Sequence, residues 1–249
     1  GYSFSATSLH ALLLGFNGAA VPRSDLGATR RRIMPERLDW HKRGDDHLSK
    51  RPSLWKIEET ESAGWAMPFL GADKSIVTRS QYYEAVHNGV KPVKFTPYTR
   101  FETRRNALFM AFFMFLLKKM AKYEAAHRFV MKYPSLSSCN LFSEEGPTEE
   151  QMREARFTYK FYGYGYGRGD SPKDDPKKRL IVTCTGPDVG YIATSGCVLS
   201  SILVFLKEKH LLPKSGGVYT TAVAFGNSRI RDFLYDFGVK FHVEMPSKL

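Results

Sequence analysis

Two short stretches of alternating side chains decide the fold class. Residues 157–162 are Phe-Thr-Tyr-Lys-Phe-Tyr, and residues 179–185 are Arg-Leu-Ile-Val-Thr-Cys-Thr. In each stretch every second side chain is apolar or aromatic, which is the period of a half-buried β-strand. We therefore predict a hairpin of two strands that are joined by the polar loop 167–178.

A helix follows this hairpin, and further elements precede it. Residues 194–209 carry apolar side chains with helical spacing, and lysines gather at their end, where the helix macrodipole favours cations. Because most strands follow one another and helices are left to cover one face, we predict an α+β fold with a mostly antiparallel or mixed sheet. The other predicted strands are 55–61, 64–69, 90–102 and 239–243, and the other predicted helices are 5–15, 81–87, 148–152 and 228–237.

The composition is that of an ordinary globular protein. Of the 249 residues, 43% are hydrophobic and 25% are charged, which excludes a low-complexity tail and a collagen-like repeat. The three cysteines are too few and too scattered for a disulfide framework or a four-ligand zinc site. No two histidines have a metal-ligand spacing, and we expect Asp45-Asp46-His47 to be a solvated run, so we predict no metal site.

Positive charge is concentrated in one segment. The formal net charge is +12, and residues 91–132 contain ten basic and two acidic residues, so they carry two thirds of that excess. Within this segment, residues 107–117 (Ala-Leu-Phe-Met-Ala-Phe-Phe-Met-Phe-Leu-Leu) have only apolar side chains. As a helix they would extend about 16 Å, roughly half the hydrocarbon thickness of a bilayer, and could not span it alone.

Cations flank the apolar run on both sides, which favours contact with a membrane surface. Basic side chains there can meet lipid phosphates while phenylalanines enter the headgroup region, with residues 125–131 returning beside the run as a shallow helical hairpin. A buried core helix is the competing interpretation. A nucleic-acid groove is a third, but no zinc-finger, RNP or basic-zipper pattern accompanies it, so we predict no nucleic-acid partner. The residues expected at the membrane are Arg104, Arg105, Lys118, Lys119, Phe109, Phe112, Phe113 and Phe115.

The first residues of the chain predict the continuation of a domain that precedes them. Residues 5–15 form an amphipathic pattern with leucines on one face, and residues 18–50 have the composition of a long polar connection. We expect residues 1–54 to continue from a preceding domain. Residues 55–249 would then form the α+β domain, with an apolar membrane-associating insertion at 104–132.

The glycine-rich motifs predict turns more than a nucleotide site. Glycines alternate with Tyr or Arg over residues 163–169, but a loop with two prolines follows, so no helix N-terminus is offered to a pyrophosphate. Residues 186–194 (Gly-Pro-Asp-Val-Gly-Tyr-Ile-Ala-Thr) predict a strand-to-helix turn in which Thr194 caps the helix. Backbone N–H groups of this turn would suit a ligand oxygen, although capping alone explains these residues equally well.

Several of these stretches together carry a family likeness. They are residues 186–194, 210–218 (His-Leu-Leu-Pro-Lys-Ser-Gly-Gly-Val) and 237–241 (Phe-Gly-Val-Lys-Phe), with 67–73, 145–148 and 163–166 upstream. From about Trp55 onwards the chain resembles the saccharopine dehydrogenase-like oxidoreductases. Members of that family also carry a Phe-rich apolar stretch where residues 107–117 lie.

The resemblance implies a protein of two parts. Family members begin with a Rossmann domain that binds NAD(P), continue with an α+β domain, and associate with membranes, lipid droplets or mitochondria; distant relatives reduce lipid double bonds. No strand, glycine-rich turn and helix followed by an acidic residue about 20 positions on occurs in this sequence. We therefore expect the C-terminal part of such a protein, with no cofactor bound by this chain and NAD(P) bound only by a full-length member.

The resemblance leaves the activity of this chain open. Joined to a Rossmann domain or a partner subunit, it would face a cleft in which hydride transfer occurs, with Gly190, Tyr191 and Thr194 nearest that cleft; no catalytic residue can be assigned. The alternative is a non-catalytic, membrane-associated assembly or structural subunit derived from the same family. In either case we expect an intracellular membrane location (a lipid droplet, mitochondrion or endomembrane), and a homo-oligomer is compatible with both.

Overall fold

The computed structural model describes residues 2–17, 23–36, 38, 52–57, 63–69, 71–167, 169 and 178–244. The described residues divide into two compact units. The first unit draws on Gly1–Leu38, His47–Thr78 and Lys94–Thr148, and the second on Arg79–Val93 and Glu149–Leu249. Helices accompany mostly antiparallel strands, which confirms the predicted α+β class.

The helices and strands are numbered in chain order. Two short irregular helices, a π-helical turn at Val189–Ala193 and a 3-10 turn at Lys209–Leu211, adjoin α8. The elements are β1 (Phe4–Ser5), α1 (Ala6–Asn17), α2 (Arg23–Ile33), β2 (Trp55–Ile57), β3 (Gly64–Pro68), α3 (Asp73–Asn88), β4 (Tyr98–Phe101), α4 (Arg104–Met120), α5 (Glu124–Lys132), α6 (Pro134–Ser137), β5 (Phe142–Ser143), α7 (Glu149–Glu154), β6 (Arg156–Gly165), β7 (Lys178–Pro187), α8 (Thr194–Lys207), α9 (Thr221–Phe225), α10 (Ile230–Asp236) and β8 (Lys240–Glu244).

The core of the first unit lies where α1 packs against the helical pair α4 and α5. Two small sheets accompany these helices: β1 pairs with β5 in parallel, and β2, β3 and β4 form an antiparallel sheet in that order. Four methionines pack against the buried cluster, where their flexible thioethers fill irregular gaps. The cluster consists of Leu9, Leu13, Phe113, Leu117, Ala121, Val130 and Phe142, and the methionines are Met110, Met114, Met120 and Met131.

The second unit is built on the antiparallel sheet β6-β7-β8. β6 and β7 pair over ten residues, and β8 continues the sheet on the other edge of β7. One face of the sheet buries Cys184 against Ala193 and Val239. A second cluster joins α8 to α9 and α10 through Val204, Phe225 and Phe233.

The structure confirms the predicted hairpin of strands, has helices (α4 and α5) at both arms of the predicted helical hairpin, and changes some bounds. Residues 90–102 keep only the strand β4, because Pro92 and Pro97 have no amide N–H for a ladder and fix their own φ angles. Part of the connection predicted at 18–50 is the helix α2, and the helix predicted at 81–87 is the second half of α3. Almost all of the loop 167–178 and the run Asp45-Asp46-His47 lie outside the described residues.

Candidate lipid-binding surface

Local signals in the sequence set the bounds of α4. The side chain of Thr103 accepts a hydrogen bond from the backbone N–H of Asn106 at 3.2 Å, which caps the start of the helix. Lys118 and Lys119 occupy its last turn, where cations interact favourably with the helix macrodipole. The cap at Thr103 thus directly precedes Arg104 at the start of α4, and two lysines stabilise its end. The residues that set the bounds of the helix therefore lie at or next to its positive charges.

The apolar side chains of α4 lie on two opposite faces. Ala107, Phe113 and Leu117 recur at intervals of six and four residues and are buried in the first unit. The other face is exposed although it is equally apolar, and its Phe112 side chain is 63% exposed. We call the exposed apolar residues of α4, α5 and the positions flanking α5 the hairpin surface: Leu108, Phe109, Phe112, Phe115, Leu116, Tyr123, Phe129 and Tyr133.

Phe113 is the one phenylalanine of the predicted set that the structure removes from this surface. Its side chain is only 6% exposed and belongs to the core cluster with Leu9 and Leu13 of α1. Phe113 lies about 100° around the helix axis from Phe112, on the side of α4 that packs against α1. Phe109, Phe112 and Phe115 remain exposed.

Cations border the hairpin surface and contact its aromatic rings. The Lys119 Nζ lies 5.6 Å from the Phe115 ring centroid, and the Lys132 Nζ lies 5.3 Å from that of Tyr133. At the other end of α4, the Arg104 guanidinium lies 5.4 Å from the Trp65 ring centroid. These distances are typical of cation–π contacts, which place positive charge next to apolar rings without an acidic partner. Arg105 and Lys118 are also exposed.

Negative charge is nearly absent from the hairpin. Residues 104–132 contain seven basic residues and one acidic residue, Glu124. The Glu124 carboxylate accepts a hydrogen bond from Arg128 at 3.1 Å within the same helix. The surface thus combines an apolar face with an uncompensated positive rim, the arrangement that suits an anionic lipid surface.

The turn predicted to face a cleft lies in the second unit. Gly190, Tyr191 and Thr194 are all exposed at or next to the π-helical turn that precedes α8. Thr194 is not the cap, which corrects the prediction. Asp188 caps the turn instead: its Oδ1 accepts hydrogen bonds from the N–H groups of Tyr191 at 2.6 Å and Ile192 at 3.4 Å. The π-helical turn begins five residues before α8, so the cap moves to its start.

Two of the three thiols, Cys184 and Cys197, have raised pKa values. Burial raises the pKa of the Cys184 thiol, and the neighbouring Cys197 raises it further; burial also raises the pKa of Cys197. Both thiols are therefore held in their weakly nucleophilic protonated form. Among the described residues, no three His, Cys, Asp or Glu side chains come together as a metal site.

One ion pair, between the buried Glu208 and the exposed Arg229, escaped the sequence analysis. Glu208, which follows α8, is 4% exposed, and its carboxylate accepts hydrogen bonds from the backbone N–H of Arg229 at 2.8 Å and from its Nε at 2.6 Å. These bonds lower the pKa of Glu208. The two residues are 21 positions apart in different segments, so no local pattern predicts their contact.

Among the residues that the structure describes, one helical stretch has the length and hydropathy to cross a membrane. Val189–Lys207 spans 19 residues with a mean hydropathy of 1.9 in its most apolar window, and 22% of that window is buried. This finding rests on length and composition alone. The helix α4 is too short to meet the same criterion.

The fold and the surface together define a class: an α+β module that exposes an apolar helical surface with a positive rim. Comparison with known proteins narrows that class. The chain is 45% identical to the lipid droplet localized protein of Caenorhabditis elegans over 249 residues, which is 98% of this chain and 57% of that protein. It is 32% identical to the saccharopine dehydrogenase-like oxidoreductase of Rattus norvegicus over 81% of this chain and 47% of that protein.

The chain therefore belongs to the saccharopine dehydrogenase-like oxidoreductase family and corresponds to part of its members. It spans about half the length of the curated relatives that it matches. A plant relative, the probable mitochondrial saccharopine dehydrogenase-like oxidoreductase of Arabidopsis thaliana, is 32% identical over 52% of this chain. No protein-family profile matches the chain. No solved structure matches it either.

Proposed function

We propose that this chain is the C-terminal, substrate- and membrane-associating part of a saccharopine dehydrogenase-like oxidoreductase, and that its hairpin surface holds the protein on an intracellular lipid surface. The observation that carries the proposal is the exposed apolar face of α4, which lies opposite the core and between cations at both ends. The name of the nematode relative supports a lipid droplet as that surface, and the name of the plant relative supports a mitochondrion.

The energetics favour reversible attachment. Full burial of a large apolar side chain is worth about 1.5–3 kcal/mol, so a half-exposed one that enters lipid contributes about 1 kcal/mol. The five apolar residues of α4 on the hairpin surface then supply on the order of 5 kcal/mol. Each Lys or Arg next to anionic headgroups adds about 1 kcal/mol. This total suits a protein that lies on a membrane surface and can leave it.

In the full-length protein, the chain would contribute to the reaction by orientation. NAD(P), when bound by the rest of such a protein, would supply the hydride chemistry. The exposed turn with Gly190, Tyr191 and Thr194 is where we propose that this chain faces the substrate. Its backbone is fixed by Asp188, which is 1% exposed, so the turn is pre-organised.

Flotation with lipid vesicles tests the proposal. The double variant Phe112→Asp with Phe115→Asp changes only exposed positions of α4, so we expect it to fold and to bind phosphatidylcholine vesicles with phosphatidylserine at least about tenfold more weakly. Raising the salt concentration should weaken binding of the wild type through screening of the cationic rim. Circular dichroism checks that the fold is retained.

A matched control uses another exposed apolar residue of the same unit. Ile76→Asp adds negative charge at an exposed position of α3 that is not part of the hairpin surface, and it should leave flotation nearly unchanged. Wild-type flotation by the folded double variant would show that the hairpin surface does not contact lipid.

A further inference from the structure

The helix α8 exposes a second apolar stripe, this time in the second unit. Gly196, Ser200 and Val204 recur every four residues and form its buried face. On the other side, five large apolar side chains are exposed, and Leu206 reaches 76% exposure. We call them the α8 surface: Val198, Leu199, Ile202, Phe205 and Leu206.

The serine and threonine hydroxyl groups of residues 189–207 all donate hydrogen bonds within that stretch. Thr194 donates to the Val189 carbonyl at 2.7 Å and Ser195 to the Tyr191 carbonyl at 2.6 Å. The remaining two follow the same pattern, since Ser200 donates to Gly196 and Ser201 to Cys197, at 2.8 and 2.9 Å. A hydroxyl that is bonded to its own helix loses little on leaving water, whereas an unbonded one would cost several kcal/mol in an apolar phase.

The charges around α8 complement a phospholipid surface. Residues 189–207 contain no acidic residue, and exposed lysines stand at and beyond the end of the helix at 207, 209 and 214. The first acidic residue after the helix, Glu208, is buried and bonded to Arg229, so it presents no carboxylate to the surface. Asp232 also interacts with Arg229. The apolar stripe therefore ends in positive charge.

We propose that the α8 surface is a second lipid-contacting surface, separate from the hairpin surface, and that its occupant is the headgroup–acyl boundary of a phospholipid layer. The helix lies in the plane of the layer and does not cross it, because its buried face packs in the cluster that contains Phe225 and Phe233. The proposal shares with the proposed function only the presence of a lipid surface. It assigns a different helix, in a different unit, to that surface.

Photo-crosslinking maps the contact directly. The full 249-residue chain is bound to vesicles of phosphatidylcholine and phosphatidylserine that contain a small fraction of diazirine-bearing phosphatidylcholine, and the labelled peptides are identified after irradiation. We expect label within 194–207 as well as within 104–132. Label on 104–132 alone overturns this inference and supports the proposed function. Label on 194–207 alone does the reverse, and label on neither overturns both.

A pair of variants with a matched control tests the α8 surface by affinity. Ile202→Glu with Phe205→Glu should abolish label on α8 and weaken vesicle binding about fivefold to tenfold. The control, Val218→Glu with Tyr235→Glu, adds the same charge at other exposed positions of the second unit and should lose less than about twofold. Equal losses in both overturn the inference. If the glutamate pair does not fold, Ile202→Ser with Phe205→Ser replaces it.

A second copy of the chain is the competing occupant. Sedimentation of the wild type without lipid should show a species whose mass is unchanged by Phe205→Glu. A dimer that this substitution dissociates would assign the α8 surface to self-association and overturn the inference.

Discussion

At the scale of single residues, the turn before β5 holds an unusual pair of backbone conformations. Cys139 and Asn140 have φ angles of 52° and 63°, in the left-handed region that residues other than glycine seldom adopt. The buried Ser138 hydroxyl holds the turn together: it donates to the Pro134 carbonyl at 2.6 Å and accepts from the Phe142 N–H at 2.9 Å. The turn thus directs β5 towards β1, and the backbone of Cys139 and Asn140 is strained as a result.

Replacing Cys139 by glycine should relieve that strain. The left-handed conformation costs a residue with a Cβ about 1–2 kcal/mol, and the extra entropy of unfolded glycine offsets part of the gain, so Cys139→Gly should raise the free energy of unfolding by about 0.5–1 kcal/mol. Cys139→Val, which is β-branched, should lower it by a similar amount. Urea denaturation measures both, and a destabilised glycine variant would contradict the assigned conformation.

The sequence predicted three of the eight residues of the hairpin surface, Phe109, Phe112 and Phe115, and it also assigned to that surface Phe113, which is buried. An uninterrupted run of eleven apolar residues has no helical phase, so nothing local distinguishes Phe113, which is buried, from Phe112, which is exposed. The difference arises from α1, which lies about a hundred positions earlier and packs on one side of α4. The cations at either end, in contrast, are visible in the sequence, and their side chains are exposed in the structure.

At the scale of elements, Gly196 shows how closely α8 approaches the segment after α10. A Cβ on Gly196 would lie 2.8 Å from the Cβ of Phe237, an atom that cannot rotate away. Gly15 in α1 offers the opposite case, since a Cβ there would meet nothing within 4 Å. The same substitution should therefore have opposite signs at these two helical positions.

Gly196→Ala should lower the free energy of unfolding by about 1–3 kcal/mol through overpacking, even though alanine favours helix. Gly15→Ala should raise it by up to about 1 kcal/mol, because only the helix propensity changes. Parallel urea titrations give both values. Stabilisation by Gly196→Ala would show that α8 and Phe237 are further apart than described.

The ion pair between Glu208 and Arg229 predicts an acid-sensitive link between the end of α8 and the start of α10. Hydrogen bonds from Arg229 lower the pKa of Glu208 in the folded protein, so its contribution to stability is present above the usual value of 4.5 and is lost as the pH falls through the folded value. Glu208→Gln should therefore lower the unfolding temperature most at neutral pH, and the gap should narrow on acidification. A gap that is constant from about pH 7 to pH 3 would contradict this assignment.

The regular elements were predictable where the signal is local. The alternation in β6 and β7 and the apolar spacing of α8 identify these elements without tertiary information. The start of α8 at Thr194 agrees with the prediction. The capping residue was wrong because the π-helical turn shifts the cap from Thr194 to Asp188, and a one-turn irregularity has no periodic signature. The helix α2 was missed because its polar, arginine-rich residues show no apolar face.

At the scale of the whole molecule, the family assignment and the length of the chain give a prediction about nucleotides. The chain spans about half of its curated relatives, and its sequence has no strand, glycine-rich turn and helix that are followed by an acidic residue about 20 positions on. We therefore expect the 249-residue chain to bind neither NADH nor NADPH in a fluorescence titration at up to about 1 mM, well above ordinary dinucleotide affinities.

Saturable binding in that titration would contradict our proposal that NAD(P) is bound by the rest of the full-length protein and not by this chain. The comparison sample is a longer protein that contains this sequence and has the length of the curated relatives. Nucleotide binding and turnover by that longer protein would favour the oxidoreductase, and their absence there would favour the non-catalytic membrane-associated subunit.

The methionine-rich packing of the first unit has a consequence for a protein on a lipid surface. Met110, Met114, Met120 and Met131 pack directly against the core cluster beneath the hairpin. Lipid hydroperoxides, which accumulate as lipids oxidise, convert such thioethers into polar sulfoxides, and the sulfoxides disrupt close packing. Oxidised lipid would thereby weaken the packing of α4 and α5 against the core, and methionine sulfoxide reductases would restore that packing by reducing the sulfoxides.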